Sequence, residues 1–172
     1  MADIRIYGDP ILRKTARPVE LFDDKLRTFI EQMKVDMYEK DGIGLAAPQI
    51  GESIRIVIID ISEQKQEPIV LINPRIYYFS EDCEDYDEGC LSIPDITVSI
   101  NRPKIVSVSA FNERGKSFSI EKADGLLARA IQHECDHLDG ILFVDRATPV
   151  RRQLLSGKLK KLAKSHRDAH KN

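Results

Sequence analysis

The segment His133-Glu134-Cys135-Asp136-His137 constrains this chain more than any other, because two histidines four residues apart act together only on a helix. Four residues are about one helical turn, so His133 and His137 project from one face and can share a metal. Glu134 lies roughly 100° round the helix from His133, close enough to touch a metal-held water while staying outside the ligand set. Cys135 lies about 200° from His133 and reads as a small core residue. The placing of His133, Glu134 and His137 is the geometry of metal-assisted hydrolysis; the alternative for so short a pattern is a pair of surface or core histidines satisfied by hydrogen bonds.

The rest of the sequence supplies the frame for that helix. Asp23-Asp24 is placed to cap a first helix whose apolar positions Leu26, Phe29, Ile30, Met33 and Met37 follow helical spacing and end near Asp41-Gly42. From about residue 44 to 120 the texture turns β-branched and alternating, with strands expected at 54–59, 69–72, 75–79, 96–100, 105–111 and 117–120. Asn112-Glu113-Arg114-Gly115 reads as a hairpin turn. Asp124 is placed to cap the histidine-bearing helix, which stops at Gly140. Beyond Pro149 a third helix is expected, with Leu155, Leu159 and Leu162 as its apolar stripe. The expected fold is α+β: mostly antiparallel β-sheets packed around a central metal-bearing helix, with a C-terminal α-helix outside.

At 172 residues, one domain spanning 1–172 is expected. No apolar run is long enough to span a bilayer and the first residues carry no apolar signal region, so the expected location is cytoplasmic. Three cysteines, Cys83, Cys90 and Cys135, form no disulfide framework, which suits a reducing compartment and leaves a thiolate available as a ligand. The net charge of -2 divides unevenly: residues 151–172 hold eight Lys or Arg against one acid, Asp168, a balance of +7 that leaves -9 on the remainder. Such a tail is either a solvated helix face or a contact for nucleic acid.

A hydrolytic metal site needs three protein ligands and an open position. Cys90, in Glu88-Gly89-Cys90-Leu91-Ser92, is the best third candidate, because it offers a soft anionic sulfur beside a glycine that tolerates an unusual backbone angle. A third cluster, Gly42-Ile43-Gly44-Leu45-Ala46-Ala47-Pro48-Gln49, is rich in small residues that let a ligand approach the backbone, and Gln49 adds an uncharged N–H donor. It has neither the phosphate-loop ending nor the dinucleotide-binding spacing.

Together these clusters resemble the peptide deformylase family, marked by Gly-x-Gly-x-Ala-Ala-x-Gln, Glu-Gly-Cys-x-Ser and Gln-His-Glu-x-Asp-His, here 42–49, 88–92 and 132–137. The resemblance implies removal of the formyl group from the N-terminal formylmethionine of new proteins. It implies that Cys90, His133 and His137 ligate one divalent metal, Fe2+ in the cell, which Zn2+, Ni2+ or Co2+ replaces. It also implies Glu134 as acid/base, with Gln49 and the Leu91 backbone N–H binding the oxyanion. Ile43, Gly44, Glu88, Gly89, Leu126 and Arg129 would border the methionine side chain, Arg129 through its apolar stem with the guanidinium reaching solvent. Expected partners are N-formylmethionyl nascent polypeptides and, through the basic C-terminal helix, the ribosome; neither membrane nor specific DNA binding is expected. Peptidases with the same helical motif usually take His or Glu as third ligand, so Cys90 argues against that alternative.

Overall fold

The computed structural model describes residues 2–169; residue 1 and residues 170–172 of the 1–172 chain, the latter closing the basic tail, lie outside the described residues. Three helices and seven strands are built in it: α1 (Asp24–Glu39), β1 (Gly44–Ala46), β2 (Ile56–Ile59), β3 (Ile69–Phe79), β4 (Cys83–Cys90), β5 (Ile93–Pro103), β6 (Val106–Phe111), β7 (Ser117–Ala123), α2 (Gly125–Leu138) and α3 (Pro149–Ala169). Strands β1-β2-β3-β6-β7 form one sheet and β4-β5 a second, and every pairing between named strands is antiparallel. The mixed α+β architecture is the expected one.

Period-two alternation explains how the larger sheet holds both helices. Ile56, Ile58, Val70 and Ile72 point to one face and bury Leu26, Ile30, Met33 and Met37 of α1. Val57, Ile59 and Leu71 point to the other face and bury Ala128, Ile131, Cys135 and Leu138 of α2. The metal-motif helix is thus pressed onto the sheet by its own apolar side, which leaves the histidine side facing the β4-β5 hairpin. That hairpin packs Ile93, Ile96 and Ile100 against Phe143 and against Leu159 of α3, with Leu155 and Leu162 partly buried beside them. The stripe expected on α3 is the one it buries.

Several local expectations need correction. Asp23 does cap α1, accepting the Leu26 N–H at 2.9 Å, whereas Asp124 occupies the N-cap of α2 without a side-chain cap bond. The two strands expected at 69–72 and 75–79 are one strand, β3, which continues through a register shift at Asn73-Pro74. Asn73 manages this with a φ of 52° while its side-chain amide donates to the Val19 carbonyl and accepts the Val19 N–H. Strand β4 was not expected, because Cys83-Glu84-Asp85-Tyr86-Asp87-Glu88 has no apolar alternation and its side chains are mostly exposed. Its pairing with β5 supplies the stabilisation that its sequence does not advertise.

Candidate active site

The three expected ligands converge. Cys90 ends β4, His133 and His137 lie one turn apart on α2, and one donor atom of each falls within 4.8 Å of the others. Cys90 Sγ is 3.3 Å from His137 Nε2. Cys135 points into the sheet core, where burial pushes its thiol up to about 12, and Cys83 is exposed. One thiolate and two imidazoles in a half-buried cluster fit a borderline-soft divalent cation.

The orientation of His133 is fixed from behind. Its Nδ1 lies 3.0 Å from Glu88 Oε2. Burial works against ionisation of Glu88, but hydrogen bonds from His133 and Arg102 and their charges outweigh it and hold the carboxyl down at about 2. An ionised carboxylate only accepts, so His133 Nδ1 carries the proton and Nε2 is left facing Cys90. For His133 itself, burial is likewise outweighed by the Cys90 sulfur, Glu88 and Glu134, which favour the cationic ring. A divalent cation among the three ligand atoms would draw on the same field in place of that proton. His137 is driven the other way, by burial first and then by the charges of His133, Arg102 and Arg13, so its ring is held neutral, the form in which an imidazole ligates.

Glu134 faces the same cavity, with burial pushing its carboxyl up to about 7. Its Oε2 is buried with no hydrogen-bond partner among the described residues, so one oxygen is available for a reacting group. Gly44 makes room for it: a Cβ there would lie 2.8 Å from Glu134 Cδ and closer still to Oε1. Gly44→Ala is therefore expected to leave the fold intact while cutting kcat by about 10²-fold through misplacement of the carboxyl. Circular dichroism beside steady-state turnover checks this, and full activity in the variant would refute the steric argument.

Gln49 sits in a short 3-10 turn, Ala47–Ile50, that follows β1 directly, so the small-residue segment is a strand followed by a turn. The amide orientation is set internally. The Ala46 N–H donates to Gln49 Oε1 at 2.9 Å, which turns Nε2 towards Ser92 Oγ at 3.2 Å and Cys90 Sγ at 3.4 Å. An N–H donor is therefore held beside the Cys90 sulfur.

These groups open on a cavity of about 540 Å³, lined among others by Ile43, Gly44, Gln49, Glu88, Gly89, Cys90, Leu91, Leu126, Arg129, His133 and Glu134. Ile43 and Leu126 are exposed apolar side chains at its edge. Among the described residues, strand β1 pairs only with β2 and strand β4 only with β5, so each presents a free edge next to the cavity. Two sequence-based expectations fail in detail. Gly89 has no positive φ, and the irregularity at this point is a register shift between Glu88 and Cys90. Arg129 does not reach solvent: its guanidinium is buried, donating to Glu88 Oε1 at 2.7 Å, the Ile100 carbonyl at 3.0 Å and the Glu84 carbonyl at 2.9 Å. Its charge is needed inside because Glu88 is there.

Sequence reasoning missed the support of the site. Arg102 on β5 donates twice to Glu88 and once to Asp136, and Arg146 donates twice to Asp136. Asp136 carried a signal, lying inside the histidine motif; Arg102 carried none, since its place depends on the β4-β5 register.

Comparison with known proteins agrees with this geometry. Residues 1–153 match the family model for polypeptide deformylase. The peptide deformylase of Brucella suis is 46% identical over 160 residues, 92% of this chain and 91% of that protein. The one from Pseudomonas aeruginosa is 48% identical over 161 residues, 94% of each. The crystal structure of the Thermotoga maritima peptide deformylase superposes with a TM-score of 0.82 at 46% identity, covering 87% of this chain and 99% of that one. The Plasmodium falciparum peptide deformylase gives a TM-score of 0.93 at 37% identity, covering 99% and 100%.

Proposed function

The chain belongs to the polypeptide deformylase family, and from that premise we propose that it hydrolyses the formamide of N-terminal formylmethionine on new polypeptides, releasing formate. The observation that carries this reading is the convergence of Cys90, His133 and His137 beside a cavity shared with Glu134 and Gln49. We assign Cys90, His133 and His137 as the ligands of one divalent ion, Fe2+ in the cell, with Zn2+, Ni2+ or Co2+ as substitutes. When bound, that ion supplies Lewis acidity to the formyl oxygen and to the attacking water.

The protein groups do the rest. Glu134 removes a proton from the water as its oxygen joins the formyl carbon, and later gives that proton to the departing methionine nitrogen as the carbon–nitrogen bond breaks. Gln49 Nε2 and the Leu91 N–H donate to the oxygen that gains charge. Gln49→Leu is expected to lower kcat by about 10² to 10³, read from formate release at saturating substrate; an unchanged kcat would remove Gln49 from the mechanism. Ile43, Gly44, Glu88, Gly89, Leu126 and the stem of Arg129 border the methionine side chain. The substrate backbone adds as a strand between the free edges of β1 and β4.

The direct test compares formyl-Met-Ala with Met-Ala and an internal peptide. Formate release from the first, with no cleavage of the others, supports the reading; hydrolysis of internal amides identifies a peptidase instead. Anaerobic purification followed by metal analysis tests the Fe2+ assignment.

We place the enzyme in the cytoplasm as one catalytic domain; no helix among the described residues is long and apolar enough to cross a membrane. We assign ribosome contact to the tail, where Lys158, Lys160, Lys161 and Lys164 are exposed on α3. Because Leu159 anchors α3 in the core, charge reversal at Lys160, Lys161 and Lys164 is a cleaner test than deletion. Unchanged ribosome co-sedimentation at low and moderate salt would refute the contact.

A further inference from the structure

A second cavity, of about 500 Å³, lies on the side of α2 turned away from the active site. Gln132, Cys135, Asp136 and Asp139 line it, whereas Leu126, Ala130, His133 and Glu134 line the first cavity from the same helix. Helical periodicity places the two sets on different sides. The second cavity takes its other walls from β3, from the end of β5, and from Arg55 and Arg146.

Its charge is unbalanced. Four guanidinium groups, Arg55, Arg75, Arg102 and Arg146, meet only two carboxylates, Asp136 and Asp139. Asp136 takes its hydrogen bonds from Arg102 and Arg146, and Arg55 Nη1 donates to Asp139 at 2.8 Å. The Arg75 side chain is exposed and makes no hydrogen bond or ion pair among the described residues. One cation is therefore left over, with unused N–H groups of Arg55 and Arg146 on the same walls.

The cavity also has an apolar wall of Pro74, Ile76, Phe79 and Pro103. Phe79 is 52% exposed, although it ends a strand whose other half is buried. An exposed flat ring and an unpaired arginine lining one cavity suit a ligand with both an aromatic face and an anionic group. The volume is that of a small-molecule site. An inorganic anion alone would occupy the arginines and leave Phe79 in water.

We propose that this cavity binds a planar aromatic anion of the nucleoside-phosphate class, its ring against Phe79 and its phosphate on Arg75, Arg55 and Arg146. Arg102 forms part of the wall and also holds Glu88, so the occupant would lie two hydrogen-bonded contacts from His133. The test therefore avoids Arg102 and uses the two residues that touch nothing catalytic.

Calorimetric titration of the metal-loaded full chain with AMP, ribose 5-phosphate and inorganic phosphate decides the matter. AMP is expected to bind at least about tenfold more tightly than ribose 5-phosphate, the ratio that one base–aromatic stack supports. Phe79→Ala should reduce AMP to the ribose 5-phosphate level, and Arg75→Glu should abolish AMP binding. Unaltered formate release by both variants shows that they fold, with Arg75→Ala as a milder second variant. Absence of AMP binding at millimolar concentration, equal affinity for AMP and ribose 5-phosphate, or AMP binding that survives Arg75→Glu would each overturn the site.

Discussion

Glu134→Gln is expected to lower kcat for formate release by a factor of about 10² to 10⁴ while moving KM little. Glutamine preserves the shape of the side chain and its contact with Gly44, so the loss isolates proton transfer from packing. The carboxyl is poised for that task because burial pushes it up to about 7, near the pH at which a base must both accept and return a proton. The same burial has a cost in stability. In the unfolded chain the group ionises near 4.5, and in the folded, metal-free protein at about 7. Below the first value neither state is charged and nothing is lost; between the two the unfolded chain ionises while the folded state stays protonated, so stability falls, and above the second the loss is complete. In metal-stripped protein, Glu134→Gln should therefore be the more stable form at pH 8, by on the order of 3 kcal/mol, with the gap closing towards pH 4. Denaturant melts at the two pH values measure it. Equal stability at both would mean that burial is not what tunes Glu134, and retained turnover would remove it as the base.

The elements that were legible in the sequence are those whose pattern is local. Helix α1 shows its apolar spacing and its Asp23 cap, and the turn at Asn112 closes with the Asn112 N–H donating to the Lys116 carbonyl and a positive φ at Gly115. The two imidazoles on α2 follow from a four-residue spacing. What stayed hidden depends on partners far along the chain. Strand β4 is acidic and exposed, so only its ladder to β5 makes it a strand. Arg102 stands opposite Glu84 in that ladder, yet its guanidinium reaches Glu88, 14 residues away in sequence, and no local rule selects it from the other arginines. Arg129 was misjudged for a related reason. An arginine near a cavity ordinarily extends to water, but a buried anion, Glu88, gives this one an inward partner.

The burial of Glu88 makes Glu88→Ala the most disruptive single change expected for stability and metal retention together. Four hydrogen bonds end on this carboxylate: Arg102 Nε at 2.6 Å, Arg102 Nη2 at 3.0 Å, Arg129 Nη1 at 2.7 Å and His133 Nδ1 at 3.0 Å. The side chains of Arg102 and Arg129 are only 4% and 8% exposed, so water cannot replace the lost acceptor. Breaking such a buried network by removing one charge costs about 3–5 kcal/mol, which corresponds to a Tm lower by roughly 6–20 °C for a domain of this size. Because the carboxyl is held down at about 2, its contribution is present in full above the ordinary carboxylate range and is lost only as pH falls through that value. His133 loses its orienting acceptor in the same change, and removal of such a partner typically weakens metal affinity by about 10- to 100-fold. Thermal melts and chelator competition separate the two consequences. A variant with lower Tm but parental metal affinity would make Glu88 a purely structural charge partner. Loss of both identifies it as the residue that positions His133. Glu88→Gln, which restores one acceptor oxygen without the charge, should then recover more of the metal affinity than of the Tm, because orienting one imidazole needs a hydrogen bond whereas two buried guanidinium groups need an anion.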